Sequence, residues 1–242
     1  MEFNGADVKD LGLFKEIDIS SLPQELDETV INNKTCCEMK QANIIANIPN
    51  RFAQSTFNDI DKELAGKVKE FCLKPNSDNV FILFGNVGRG KTTTMAAAIH
   101  ERMIQGLDCG FYFTNQMLYP TLRTCRSFSS KENEEMFFKR LSNVSFLCID
   151  EVGACSDRNE EREFLKTVLS LRYDNCLPTM IATNLTPYEF KYLLAGVDGS
   201  DKSPEEQKQL CEKLDNNCPV LNRIKSIAIT HKLIGESFRT RG

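Results

Sequence analysis

Val80-Phe81-Ile82-Leu83-Phe84-Gly85-Asn86-Val87-Gly88-Arg89-Gly90-Lys91-Thr92 passes from a continuous apolar run straight into a glycine-rich loop and a lysine. The apolar run suits a strand buried on both faces. The loop fits G-x-x-x-x-G-K-[ST] in full, and Thr92–Gln105 behind it is Ala- and Met-rich, helical in character and stopped by Gly106. Strand, loop and helix in this order are the context that makes the pattern a phosphate site. Glycines let the N–H groups of Gly85, Asn86, Val87, Gly88, Arg89 and Gly90 turn inward around a phosphate, and the positive end of the following helix adds to the attraction. Lys91 supplies a point charge to the β- and γ-phosphates of a nucleoside triphosphate. The Thr92 hydroxyl is placed to ligate Mg²⁺, and Thr93 continues the same turn.

Outward from this loop, Val144–Ile149 is a second buried strand pattern that ends abruptly in Asp150-Glu151. Carboxylates at the C-terminal end of a parallel strand lie where ligands bind in open α/β sheets. Asp150 is the candidate to hold magnesium through water, and Glu151 the candidate to orient and deprotonate an attacking water. Pro178–Thr183 is a further strand pattern, and Asn184 just past it reaches the γ-phosphate or that water if its strand neighbours the other two. Cys109–Phe113 and Ile227–Thr230 also read as strands. Gln116–Arg126, Glu160–Leu171, a segment opened by Thr186-Pro187, and Ser203 to Leu214 read as helices. In Glu160–Leu171 the apolar positions are Phe164, Leu165, Val168, Leu169 and Leu171. Strands alternating with helices predict a mostly parallel α/β sheet covered on both faces. Residues 196–218 break the rhythm and read as a surface insertion, and residues 1–50 read as a short N-terminal arm with one amphipathic helix over Val8–Ile19.

The totals exclude several classes. The chain has 242 residues, 41% hydrophobic and 26% charged, which is ordinary for a globular protein and unlike collagen, coiled coil or wholesale disorder. No apolar run approaches the roughly 18–20 residues that span a bilayer, so no membrane partner is expected. The start lacks a basic region followed by an apolar one, so no secretory signal is expected and the cytoplasm is the default compartment. A net charge of −4 means that any nucleic-acid contact needs a local basic surface. Ten cysteines without a C-x-x-C pair, and two histidines away from them, give no zinc pattern and read as reduced thiols. Cys148 reads as a small core residue and Cys36-Cys37 as incidental. Phe111, Tyr112 and Phe113 alternate too tightly to form a stacking platform and read as strand core. Arg123 and Arg126 read as a solvated helix face or as the lining of a channel between subunits, and Arg223, Arg239 and Arg241 as late arginines suited to a phosphoryl transition state or simply to solvent.

From about Arg51 to the C-terminus these residues resemble the AAA+ ATPases, specifically the DnaC/IstB-type helicase-loader branch. Arg51-Phe52-Ala53-Gln54-Ser55-Thr56-Phe57-Asn58 is similar to the segment that precedes the nucleotide fold there. Ile149-Asp150-Glu151-Val152-Gly153 is similar to its Walker B region and Ala182-Thr183-Asn184 to its sensor 1. Leu221-Asn222-Arg223-Ile224 resembles the arginine-finger stretch and Glu236-Ser237-Phe238-Arg239-Thr240-Arg241 the sensor 2 stretch. The resemblance implies a parallel-sheet P-loop (AAA+) ATPase domain over residues 51–242 that binds ATP and Mg²⁺ and turns over slowly. It implies self-association with ATP at subunit junctions, Arg223 acting on a neighbour's γ-phosphate and Arg239 acting within its own subunit. It further implies delivery of a replicative hexameric helicase onto single-stranded DNA, with the arm gripping the helicase. Two alternatives share the motifs: an IstB-like helper of transposition, and a nucleotide-gated adaptor that hydrolyses little.

Overall fold

Burial on both faces explains why strand β1, Val80–Phe84, carries no polar residue. Val80, Ile82 and Phe84 enter one apolar cluster while Phe81 and Leu83 enter another, the period-two alternation of a strand between two helical layers. A computed structural model describes residues 43, 46–74, 80–108, 110–127, 133–199 and 201–234, all within the compact unit Glu38–Gly242. Most of the expected arm, with Val8–Ile19 and Cys36-Cys37, lies outside the described residues, as do Arg239 and Arg241.

Along the chain the elements are α1 (Lys62–Leu73), β1, α2 (Lys91–Ile104), β2 (Phe111–Thr114), α3 (Leu118–Cys125), α4 (Glu134–Asn143), β3 (Leu147–Val152), α5 (Arg158–Asp174), β4 (Thr179–Thr183), α6 (Pro187–Ala195), α7 (Pro204–Asn217), α8 (Pro219–Ile227) and β5 (Ala228–Lys232). The sheet order is β2-β3-β4-β1-β5 and every pairing is parallel. The expected strands are present with ends shifted by a few residues. Helices α1, α4 and α8 were not singled out by periodicity. Helix α1 starts at Asp61, whose side chain caps the N–H groups of Glu63 and Leu64, and it buries Leu64, Val68, Phe71 and Cys72 against α2 and one sheet face.

The other face is covered from α3 to α8. On α5 the expected stripe of Phe164, Leu165, Val168 and Leu169 is buried, but it continues through Arg172, not through Leu171, which is 40% exposed. Segment 196–218 forms α7, which packs between α6 and α8. It buries Cys211 and Asp215, and Asp215 takes an ion pair from Lys191 on α6 at 2.7 Å. Tyr112 and Phe113 sit in the core on opposite faces, and Cys148 is fully buried. The described cysteines are free thiols. No helix among the described residues is long and apolar enough to cross a membrane.

Candidate functional site

The loop after β1 turns through Gly88 (φ 80°) and Gly90 (φ 84°), left-handed conformations that a side chain would strain. Gly90 precedes the first turn of α2, and no side chain caps that turn, so its N–H groups face the loop. Lys91, 8% exposed, points back over the loop and donates to the Gly85 carbonyl (2.6 Å), the Asn86 carbonyl (2.9 Å) and the Asn184 side-chain oxygen (2.6 Å). Asn184 reaches it because β4 lies between β1 and β3. The lysine therefore waits on three oxygens that a phosphate can replace.

Thr92 donates from its hydroxyl to Asp150 Oδ2 at 2.6 Å. Asp150, 1% exposed, also accepts the Tyr112 hydroxyl on Oδ2 at 2.8 Å and the Glu151 N–H on Oδ1 at 2.8 Å. Consecutive residues of a regular strand face opposite sides of the sheet. Here the β3–β4 register shifts between Ile149 and Val152, and Glu151 takes φ 57°. This bulge brings two adjacent carboxylates to the same cleft. Glu151 Oε2 accepts the Thr114 hydroxyl at 2.8 Å. Behind it, fully buried Glu161 accepts the Gly153 N–H at 2.6 Å and the Asn115 side-chain amide, tying the loop after β3 to the end of β2. Burial pushes the Glu161 carboxyl above the usual carboxylate range.

A cleft of about 290 Å³ joins these groups. Val87, Gly88, Arg89, Gly90, Lys91, Thr92 and Thr93 line it together with Asp150, Glu151 and Asn184. Gly85 and Asn86 contribute their carbonyls to Lys91 and do not line it. Arg51, Phe52 and Ser55 close the cleft from the N-terminal side. Arg223 does not line it. Its guanidinium stands over the Tyr173 ring at 5.4 Å and 4.0 Å from Asp174, on α8. Arg126 is held by Glu134 (2.7 Å) and Glu160 (2.6 Å). Sequence reasoning misses Tyr112 and Thr114 because their partners lie on another strand, and Glu161 because its partners Gly153 and Asn115 follow two different strands.

No protein-family model matches the chain. The replicative helicase loader DnaC of Escherichia coli K12 is 29% identical over 114 residues, 47% of this chain. The match spans about half of that relative, 46% of its length. A crystal structure of the DnaC helicase loader superimposes with a TM-score of 0.56 at 18% identity, covering 77% of this chain and 100% of that one. A crystal structure of DnaI gives 0.57 at 17% identity, covering 77% and 94%. The chain has the AAA+ fold seen in DnaC and DnaI. Its sheet, read from the far edge as β5-β1-β4-β3-β2, is the AAA+ order.

The site also fits the group that the fold implies. Arg89 Nη1 is buried at the cleft without a hydrogen-bond partner, a donor suited to an anion such as a phosphate oxygen. Thr92 and Asp150 offer hard oxygens side by side, which suits Mg²⁺ completed by phosphates and water. Among the described residues no group of three or more His, Cys, Asp or Glu could hold a metal on protein ligands alone.

Proposed function

We propose that the chain is an ATP-driven loader that delivers a replicative hexameric helicase onto single-stranded DNA. The observation that carries the ATPase half is the convergence of Lys91, Thr92, Asp150, Glu151 and Asn184 on one cleft. The loader half rests on the likeness to DnaC.

In this reading the loop N–H groups, Arg89 and Lys91 bind the triphosphate, and Thr92 and Asp150 hold Mg²⁺. A hydroxyl that ligates through a lone pair keeps its proton for Asp150, so the Thr92–Asp150 bond is compatible with that role. Bound Mg²⁺ adds positive charge where the transferring phosphoryl group gathers negative charge. Glu151 orients and deprotonates water, and Asn184 moves from Lys91 toward the γ-phosphate. Arg51, Phe52 and Ser55 shape the nucleoside end. Arg223 is half-buried and away from its own cleft, which suits action on the cleft of a neighbouring copy, with ATP at the junction. Arg239 is assigned the sensing role within its own subunit. The assembled Glu151 and Asp150 favour hydrolysis over a passive adaptor, and the DnaC match favours the loader over the transposition helper.

The test is co-purification of the full chain with a host or phage hexameric replicative helicase, with and without ATP, beside the Lys91→Ala variant. A complex formed by the wild type and lost or altered in its nucleotide response in Lys91→Ala is expected. No complex under either condition overturns the loader reading.

A further inference from the structure

Asp150 is positioned by more than the phosphate loop. Its Oδ2 accepts two hydroxyl protons, from Thr92 on α2 at 2.6 Å and from Tyr112 on β2 at 2.8 Å. Tyr112 is 4% exposed, and its ring packs in the apolar cluster with Phe146 and Met180. Its backbone is fixed as well. Its N–H donates to the Ala46 carbonyl at 2.7 Å, and its carbonyl accepts the Asn47 side-chain amide at 3.2 Å. A phenol fixed at ring and backbone imposes one direction on the carboxylate that it meets. A phenol carries its proton at neutral pH, so Tyr112 is the donor in this bond.

We propose that Tyr112 is a positioning residue for the magnesium carboxylate, acting through Asp150. The inference rests on the proposed reading, in which Asp150 holds the metal. Outer partners of a metal-binding carboxylate fix its orientation, and removing one typically weakens metal affinity by about tenfold or more. Tyr112 needs no contact with nucleotide or metal to act in this way.

The experiment titrates Mg²⁺ against binding of a fluorescent ADP analogue by the full chain. Wild type, Tyr112→Phe, Asp150→Asn and the double variant are compared, each checked for an intact melting transition. Tyr112→Phe keeps the ring and removes one oxygen. It is expected to raise the half-saturating Mg²⁺ concentration by about tenfold, with nucleotide affinity in EDTA unchanged. Asp150→Asn is expected to raise it at least as far, and adding Tyr112→Phe to that background is expected to do nothing more. An unchanged midpoint in Tyr112→Phe beside a shifted one in Asp150→Asn overturns the proposal and leaves the site reading standing. A shift that persists in the Asp150→Asn background also overturns it, because the effect then comes from packing. An unchanged midpoint in Asp150→Asn overturns the site reading itself.

Discussion

Helix α5 buries a charge at each end, and the two ends serve different purposes. Near its start, Glu161 sits at the C-terminal edge of the sheet and ties Gly153 to Asn115, beside the candidate site. Near its finish, Arg172 sits at the opposite edge and donates to the carbonyls of Leu141 (2.8 Å), Val144 (2.7 Å) and Pro178 (2.7 Å) and to the Thr179 hydroxyl (2.8 Å). Arg102 works at the same edge on the other face, donating to the carbonyls of Cys72 (2.6 Å) and Asp108 (2.8 Å). Burial pulls the Arg172 guanidinium down to about 9, still charged at neutral pH. Carboxylates gather where strands end and ligands bind, and planar cations close the edge where strands begin. The fork geometry of arginine satisfies several carbonyls at once, so that edge needs no opening. The site edge instead keeps donors and acceptors that a ligand can take over.

The sharpest way to break this contrast is to empty the strand-start edge. Arg172→Ala strips the donor from four acceptors; the Pro178 carbonyl keeps the Leu147 N–H, and the other three each cost about 1–3 kcal/mol when unpaired. A loss of at least about 3 kcal/mol of stability is expected, a large share of a domain's total, read from the urea midpoint. Nucleotide affinity of the chain that remains folded is expected to stay within about twofold, because nothing at the site edge changes. A parallel fall in affinity would show that the two edges are not separable.

Glu151→Gln is the matching change at the site edge. ATP turnover is expected to fall by about 100-fold or more, the share typical of a general base, with ATP still bound and the urea midpoint unchanged. Glutamine can still accept the Thr114 hydroxyl, so the cost lies in chemistry and not in folding. Unchanged turnover would remove Glu151 from its role.

The same contrast explains what could be read without coordinates. The phosphate loop was legible because its chemistry is contiguous, from Gly85 to Thr92. Asp150 and Glu151 were legible as a strand end. Their joint orientation was not, because the bulge between Ile149 and Val152 exists only in register with β4. Tyr112 reads as strand core, and so it is, yet its hydroxyl meets Asp150 across a strand pair. Leu171 looks like part of the α5 stripe but points outward, while Arg172 lies four residues beyond Val168 and completes the stripe. Glu161 lies four residues before Leu165 on the same line. A charge on an apolar stripe at helical spacing is a usable signal of a buried, fully bonded ion, and both residues carried it. Helices α4 and α8 were obscured by short, polar-rich sequences whose burial depends on the neighbours they meet.

The smallest change tests how Glu151 is held. The Thr114 hydroxyl donates to Glu151 Oε2 at 2.8 Å, and Asp150 pairs with Thr114 in the β2–β3 register. The bond draws this carboxylate toward β2 and away from the glycine-rich loop. Thr114→Val keeps the branched shape that the strand favours and removes the donor. Basal ATP turnover is expected to rise about threefold, equivalent to about 0.6 kcal/mol of barrier, and stability is expected to change by less than about 0.5 kcal/mol. In the Glu151→Gln background the same substitution is expected to leave the residual rate unchanged, since the base it would release is gone. A fall in the rate of the single variant would mean that Thr114 aims Glu151 at water and does not restrain it. The sign of this effect, more than its size, separates a bond that holds the site idle from one that completes it.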